Sequence, residues 1–309
     1  MRRIHSRETM ADDLAGAVIA LGNFDGFHLG HQAVVQRAAQ LAADKRAPLI
    51  IATFDPHPVR HFAPDVPPFR LTTLDQRQRL FAAAGADAML VLAFDGVMAG
   101  TSADAFIDDL LVGRFRASGI VSGADFVFGR GRGGSVQTLR DAAHAGKFDY
   151  VMVSPVEEDG AVISSSRIRD ALRAGDCTTA AQLLTRPFAI EGVVEHGDKV
   201  GRTLGFPTAN VALGSYLRPR YGVYAVTGRL ADGRMLHGAA NVGIRPQFDP
   251  PKELLEPHFF DFDGDLYGQT VEVAFHAFLR GEERFDSLDA LKAQIDRDCA
   301  AARDLLSKL

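Results

Sequence analysis

The stretch Val18-Ile-Ala-Leu-Gly-Asn-Phe-Asp-Gly-Phe-His-Leu-Gly-His31 decides the fold of the first half of the chain. Its first four residues are an apolar run that predicts a buried strand, and residues 32–43 continue with the spacing of an amphipathic helix. Further strands are expected at 49–54, 89–94, 119–122 and 150–153, with helices at 74–84 and 102–111. Strands that alternate with helices predict βαβ units and a parallel sheet covered on both faces, which is an α/β domain.

The hydrophobic pattern changes after about residue 185. Val271, Val273 and Phe275 alternate with residues that face the other way, the period-two pattern of a strand. Strands are also expected at 221–230, 235–242 and 256–261. Short strands at this spacing predict an antiparallel barrel or sandwich, and a final helix follows that Asp286 or Ser287 caps. We therefore expect two domains, residues 1–185 and residues 186–309.

Composition limits the classes of function that remain. The 309 residues are 47% hydrophobic and 24% charged, so two domains of ordinary size can each bury a core. The net charge of −5 argues against a whole-chain electrostatic role on nucleic acid or a membrane surface. The two cysteines, Cys177 and Cys299, make no disulfide framework, and neither a membrane-length apolar run nor a signal peptide is evident. These features predict a soluble cytoplasmic protein.

Two histidines follow the first strand, at the edge of the sheet where α/β proteins bind ligands. His28 and His31 are three residues apart, so they share one face of a helical turn, and Gly26 and Gly30 permit close approach of an anion. Two imidazoles there favour binding of a triphosphate and stabilisation of charge at its α-phosphorus. The alternatives are two surface histidines or a two-histidine metal site, for which no third ligand is evident.

The same segment, Gly22-Asn-Phe-Asp-Gly-Phe-His-Leu-Gly-His31, resembles the H-x-G-H signature of nucleotidyltransferases. More specifically, it is similar to the adenylyltransferase half of the prokaryotic bifunctional riboflavin kinase/FMN adenylyltransferase family. Four further segments resemble family motifs in the family's order, at 53–58, 123–129, 131–134 and 163–169. Serine replaces the family's threonine at position 166 and keeps the hydroxyl. The resemblance implies a Rossmann-like nucleotidyltransferase domain.

The resemblance also implies which residues of this half bind substrates. The catalytic pair is His28 and His31, and the implied nucleotide-binding residues are Gly22, Phe24, Gly30, Ser164, Ser165 and Arg169. The implied flavin-binding residues are His57, Asp125, Phe126 and Phe128, with the two phenylalanines on either side of the isoalloxazine ring. Structural roles stay open for several of them: a plain helix cap at 164–169, a rigid turn at His57, a backbone cap at Asp125, and core packing of the phenylalanines.

A second glycine-rich loop lies at 197–210, and no Walker-type P-loop is present in the sequence. Its glycines allow the backbone to wrap around phosphates. Thr208 and Asn210 are two residues apart, so on an extended segment they point to one side, and their hydroxyl and amide oxygens suit Mg²⁺. A glycine-rich hairpin without a ligand is the alternative.

This loop resembles the G-x-x-x-G-x-x-L-G-[FY]-P-T-A-N motif of riboflavin kinases, and residues 240–246, 255–268 and 285–288 resemble the later motifs of that family. The resemblance implies a β-barrel kinase domain with a terminal helix. It implies ATP binding by Gly197, Lys199, Gly201 and Gly205, a metal at Thr208 and Asn210, Glu256 as general base, and flavin contact by Arg303. Surface roles stay open for Glu256 and Arg303. Three residues, Ile244, Gln247 and Pro257, depart from the usual pattern without removing a proposed catalytic group.

Together the motifs predict two reactions on one chain. The second half phosphorylates riboflavin with ATP to give FMN, and the first half transfers AMP from ATP to FMN to give FAD and pyrophosphate, both with Mg²⁺. The alternatives are a nucleotidyltransferase with a different phosphate acceptor, and a second half that binds flavin without turnover. The expected partners are the small-molecule substrates ATP, riboflavin and FMN, with no nucleic acid and no membrane; self-association stays open.

Overall fold

The computed structural model describes residues 1–196, 205–245 and 252–309. They form two compact units. The first consists of Met1–Pro67 with Thr73–Ser164, and the second of Pro68–Thr72 with Ser165–Leu309. None of the helices in the described ranges is both long and apolar enough to cross a membrane.

The first unit contains a six-stranded parallel sheet in the order β1-β4-β3-β2-β5-β6. Its strands are β1 (Arg2–His5), β2 (Val18–Leu21), β3 (Leu49–Asp55), β4 (Ala88–Ala93), β5 (Gly119–Gly123) and β6 (Asp149–Val153), and a hairpin follows, β7 (Glu157–Glu158) and β8 (Ala161–Val162). Successive residues of β2 lie in different buried clusters, Ile19 in one and Val18 and Ala20 in the other. The sheet therefore has a core on each face, as the sequence predicts.

The helices of the first unit are α1 (Leu29–Lys45), α2 (Pro58–Phe62), α3 (Leu74–Ala83), α4 (Gly96–Gly100), α5 (Ala103–Ala105) and α6 (Val136–His144). The helix expected at 102–111 does begin at a Ser102 cap, whose hydroxyl accepts a hydrogen bond from the Ala105 N–H at 3.1 Å. It continues, however, as a π-helix over Phe106–Arg114. The stretch is therefore helical from its Ser102 cap onward, with a change from α- to π-helix at Phe106.

The second unit is a closed antiparallel barrel in the order β10-β13-β12-β11-β14-β9, with helices α7 (Ser165–Ala174), α8 (Cys177–Leu184) and α9 (Leu288–Leu306). Its strands are β9 (Phe188–Glu195), β10 (Asn210–Ala212), β11 (Gly222–Leu230), β12 (Met235–Arg245), β13 (Lys252–Phe259) and β14 (Thr270–Arg280). The barrel, and not the sandwich, is thus the fold of this half. The contacts of α7 and α8 group them with the barrel, whereas the boundary at residue 185 stays a prediction from sequence.

Helix α9 covers part of the outer face of the barrel. The Ser287 hydroxyl caps it by accepting from the Ala290 N–H at 3.2 Å. Ala302 and Leu306 pack with Ala225 and Ala239 on the barrel, whereas Leu288, which we expected on the same buried face, is exposed. An ion pair between the half-buried Arg280 on β14 and the buried Asp298 on α9 joins strand and helix at 2.8 Å. This contact fixes the end of β14 against the helix.

Candidate active sites

The loop between β2 and α1 has an unusual backbone. Phe24 and Phe27 have φ values of 50° and 47°, and Gly26 between them has 86°. Left-handed conformations cost energy for residues with a side chain, so other contacts must hold this loop. One such contact is the Thr53 hydroxyl of β3, which donates to the Asn23 carbonyl at 2.7 Å. The loop is therefore tied to the carboxyl end of the neighbouring strand.

The two histidines lie together at the start of α1, as the spacing predicts. Their rings are stacked, with centroids 3.6 Å apart and planes inclined by 19°. His28 is the N-cap, and its Nδ1 accepts from the His31 N–H at 3.4 Å. His28 is buried and His31 is half-buried. A helix N-terminus beside two imidazoles is an environment that favours phosphate groups.

Gly30 allows this close packing. A Cβ at residue 30 would stand 3.2 Å from Cε1 of His28 and 3.5 Å from the carbonyl oxygen of Ile163. Residue 163 therefore lies beside the start of α1, and Ser164 follows it at the end of the first unit. Ser165 begins α7 in the second unit.

Phe24 is buried against the histidine pair. Its side chain is 1% exposed and packs edge-on against Phe81 at 5.8 Å and against His31 at 5.2 Å. A contact of Phe24 with the nucleotide stays a prediction. A Cβ at Gly22 would stand 3.0 Å from the same ring, so Gly22 makes room for Phe24. The Phe24 ring therefore supports the His31 imidazole through their edge-on contact.

Arg77 is a buried residue that supports this loop, and the sequence analysis missed it. Its side chain is 2% exposed, and its guanidinium donates to the Thr53 hydroxyl at 2.7 Å and to the Asn23 carbonyl at 3.2 Å. It thus links α3 to the loop that precedes the histidine pair. An arginine within an amphipathic helix gives no sign of burial in the sequence, because most arginines are solvated.

Replacing Arg77 by Met is expected to lower the stability of the first unit by about 3 kcal/mol, because it leaves buried oxygen atoms without their charged donor. The loop that holds His28 should loosen, so AMP transfer should fall while riboflavin phosphorylation continues. Thermal unfolding and separate assays of the two products check this. Arg79→Met, an exposed position on the same helix, is the matched control; equal effects of the two changes would contradict the role of Arg77.

The residues predicted to bind flavin have structural contacts of their own. His57 caps α2, accepting from the Val59 N–H at 3.2 Å. Asp125 is exposed just beyond β5. Phe126 and Phe128 are stacked with centroids 5.7 Å apart, and Phe128 is buried in the core. The two rings contact each other and Phe128 packs in the core, whereas contact of these rings with isoalloxazine stays a prediction.

Arg169 belongs to the second unit, in α7. Its Nε donates to the Phe69 carbonyl at 2.8 Å, and its guanidinium lies 5.2 Å from the centroid of the Phe69 ring. These contacts hold the Pro68–Thr72 segment within that unit. A contact between Arg169 and phosphate stays a prediction.

The barrel brings Glu256 next to two amide side chains. On β12, Asn241 pairs directly with Glu256. On the other side, β10 pairs Val211 with Leu255, and because antiparallel register advances in opposite directions, Asn210 lies opposite Glu256. The three residues therefore share one face of three adjacent strands. It is the outer face that α9 packs against, since Ala239 lies two residues before Asn241. The sequence analysis quoted Asn241 within a motif but assigned it no role.

The glycine-rich loop before β10 is described only in part. Gly197, Lys199 and Gly201 lie outside the described residues. Gly205 has a φ of 91°, a conformation that favours glycine. Thr208 is half-buried just before β10. The Ala209 N–H donates to the Pro257 carbonyl at 2.9 Å, which continues the pairing with β13 and places Thr208 on the same side as Asn210.

A cation accompanies the carboxylate. The guanidinium of Arg245 forms an ion pair with Glu256, and the two side chains are 28% and 15% exposed. Burial lowers the pKa of Arg245, and the charge of Glu282 acts in the opposite direction. Glu256 is thus a half-buried, charged group on the barrel wall and not a surface residue.

Arg303 and the sequence departures have clear places. Arg303 forms a two-armed pair with Asp261 at 2.7 and 3.0 Å and lies over the Phe260 ring at 4.2 Å. The predicted flavin contact of Arg303 thus competes with an ion pair. Ile244 is exposed, Pro257 is buried in β13, and Gln247 lies outside the described residues.

Comparison with known proteins covers both halves of the chain. The family model of FAD synthetase matches residues 10–167, and that of riboflavin kinase matches residues 184–306. The bifunctional riboflavin kinase/FMN adenylyltransferase of Escherichia coli K12 is 41% identical over 98% of this chain and 96% of its own. The Bacillus subtilis protein of the same name is 37% identical over 99% and 97%. The chain belongs to this family.

The bifunctional riboflavin kinase/FMN adenylyltransferase is an enzyme with two activities, and the family models assign one to each half. The alternatives of a different phosphate acceptor and of a silent second half are therefore set aside. A solved structure from Streptococcus pneumoniae, titled a macrolide-efflux protein, is also similar. It has a TM-score of 0.87 and 30% identity, over 98% of this chain and 99% of that one.

Proposed function

We propose that riboflavin phosphorylation takes place around Glu256 and AMP transfer to FMN around the pair His28 and His31. The observation on which the kinase site depends is that Glu256 faces Asn210 and Asn241 on neighbouring strands. A carboxylate between two amides on one barrel face provides a proton acceptor with polar groups that orient it. The stacked imidazoles at a helix N-terminus support the second site.

In the kinase reaction, the terminal ribityl oxygen of riboflavin attacks the γ-phosphorus of ATP. A new O–P bond forms between them. The bond from the γ-phosphorus to the oxygen that bridges the β- and γ-phosphorus atoms breaks, and ADP leaves. Glu256 accepts the proton of the attacking hydroxyl. The glycine-rich loop with Lys199 and Gly205 holds the phosphates.

In the adenylyl reaction, an oxygen of the FMN phosphate attacks the α-phosphorus of a second ATP. A new O–P bond forms, the bond from the α-phosphorus to the oxygen that bridges the α- and β-phosphorus atoms breaks, and pyrophosphate leaves. His28 and His31 donate hydrogen bonds to the phosphate oxygens on which charge develops, and Gly30 allows the backbone to approach them. Because FMN supplies the nucleophile, the protein forms no covalent intermediate.

The kinase site has donors that suit Mg²⁺. The Thr208 hydroxyl and the Asn210 amide oxygen are hard ligands on one side of an extended segment that pairs with the strand of Glu256. Bound there, Mg²⁺ supplies positive charge that offsets the charge of the ATP phosphates. Gly22, Ser164, Ser165, Arg169, His57, Asp125 and Phe126 remain proposed substrate contacts of the adenylyl site.

Asn210→Ala is expected to raise the Mg²⁺ concentration needed for half-maximal FMN formation by about tenfold, because one of few protein ligands is lost. FAD formation from supplied FMN should keep its Mg²⁺ dependence. A Mg²⁺ titration of both products checks this, with Asn23→Ala, an exposed position in the other unit, as the control for loss of an amide. An unchanged Mg²⁺ requirement of FMN formation would place the metal elsewhere.

We also propose that the protein works in the cytoplasm on small molecules. Cys177 and Cys299 are free thiols, which suits a reducing compartment. Burial raises the pKa of Cys177 to about 12 and that of Cys299 to about 11, so neither behaves as a reactive thiolate. The net charge of −5 supports the absence of a nucleic-acid partner.

A further inference from the structure

Arg245 acts on two carboxylates of the kinase site at once. It forms an ion pair with Oε2 of Glu256, and it also interacts electrostatically with Glu282. One cation thus interacts with two carboxylates.

Glu282 lies over β12 at a defined point. Its Oε1 occupies the position that a Cβ at Gly243 would take, and Nδ2 of Asn241 is 3.1 Å from the same position. The strand that leads to Glu282 is anchored, because Arg280 pairs with Asp298 at 2.8 Å, and Gln294 donates to the same carboxylate at 2.8 Å. The Glu282 carboxylate is therefore beside the amide that neighbours Glu256.

The ion pair of Arg245 competes with a substrate hydroxyl for the carboxylate of Glu256. Its guanidinium occupies Oε2 of Glu256, and a hydroxyl that is to lose its proton must come within hydrogen-bond distance of that carboxylate. The guanidinium needs a second partner when it leaves, since an unpaired, half-buried charge is costly. Glu282 is a carboxylate placed to be that partner.

We propose that Glu282 is a positioning residue of riboflavin phosphorylation, which takes the guanidinium of Arg245 from Glu256 so that the base can accept the hydrogen bond of the ribityl hydroxyl. This inference rests on the proposed function of Glu256. Glu282 contacts neither the reacting oxygen nor the phosphorus; it acts through Arg245. Gly243 contributes to this arrangement, because the absence of a side chain there leaves room for the Glu282 carboxylate.

Glu282→Gln removes the charge that attracts Arg245 and keeps the size of the side chain. We expect the kcat of FMN formation to fall about tenfold while the KM for riboflavin changes less than about twofold, because ground-state binding is untouched. Glu283→Gln is the matched control, one residue along and also exposed, and its kcat should stay at the wild-type value. FAD formation from FMN and the thermal unfolding midpoint should be unchanged in both.

Two further variants test whether the effect passes through Arg245. Gly243→Ala places a methyl group where the Glu282 carboxylate lies, so it should reproduce the loss of kcat, and Gly243→Ala with Glu282→Gln should be no slower than either alone. In an Arg245→Met background, Glu282→Gln should have no further effect. If FMN formation by Arg245→Met is too slow to measure, the comparison of Gly243→Ala with the double variant Gly243→Ala and Glu282→Gln tests the proposal by itself.

The outcomes separate the two proposals. Losses that multiply in the double variants, or a wild-type kcat in Glu282→Gln, would overturn the positioning role of Glu282. Retained FMN formation in Glu256→Gln would instead overturn the assignment of the base, whatever Glu282→Gln does.

Discussion

Glu256→Gln is expected to lower the kcat of FMN formation by about 10³-fold, the size of a lost general base. Glutamine keeps the shape of the side chain and can still meet Asn210 and Asn241, but it cannot accept the proton of the ribityl hydroxyl. Formation of FAD from supplied FMN should continue at the wild-type rate, because that reaction takes place at the histidine pair and not at Glu256. The two products are resolved by chromatography after incubation with ATP and Mg²⁺.

The supplied-FMN reaction is the internal control for folding of the variant. Loss of the partner of Arg245 leaves a half-buried cation, so the thermal unfolding midpoint is measured alongside. FMN formation at more than a tenth of the wild-type kcat would contradict the assignment of Glu256 as the base. Loss of both activities in a folded protein would contradict the assignment of separate sites.

The second large effect is expected at the histidine pair. His31→Ala and His28→Asn should each lower the kcat of FAD formation by about 10²–10³-fold, the cost of losing a donor to developing charge. Asparagine is chosen at residue 28 because His28 caps α1 and asparagine is among the best N-caps. FMN formation should be unchanged in both variants.

His144→Ala serves as the control, since His144 is an exposed histidine in α6 of the same unit. It should retain both activities. If His144→Ala lowered FAD formation as much as His31→Ala, the effect would be one of folding and not of the site. If His31→Ala kept wild-type FAD formation, the imidazole pair would have no catalytic role.

The sequence predicted the elements whose hydrophobic pattern is local and strong. The strands at the centre of the parallel sheet are continuous apolar runs, and Val271, Val273 and Phe275 are buried in alternation as expected. β1 (Arg2–His5) was missed, because two of its four residues are arginines and its place depends on pairing with the distant β4. The π-helical character of the stretch after α5 was not predicted either, because the apolar spacing there also fits an α-helix.

The candidate sites could be predicted only where a motif is contiguous. His28 and His31 are neighbours in sequence and in the structure. Arg77 depends on the fold, because α3 must bring its guanidinium to Asn23 and Thr53. For Phe126 and Phe128 the sequence could not separate core packing from ligand contact, and the structure places Phe128 in the core.

Asn241 and Arg245 show the same limit in the barrel. Nothing in a single sequence tells that β12 places an amide opposite Glu256 and a guanidinium against its carboxylate. Only strand register supplies that information. The chemical character of each residue could be predicted from the sequence, whereas the residues that it contacts could not.

The central claim, that one chain holds two independent sites, is tested most directly by mixing Glu256→Gln with His31→Ala. Neither variant alone should convert riboflavin to FAD. With riboflavin, ATP and Mg²⁺, the mixture should make FAD, since one variant supplies FMN and the other adenylylates it. A mixture of folded variants that makes no FAD, or a single variant that makes FAD from riboflavin at the wild-type rate, would contradict the account.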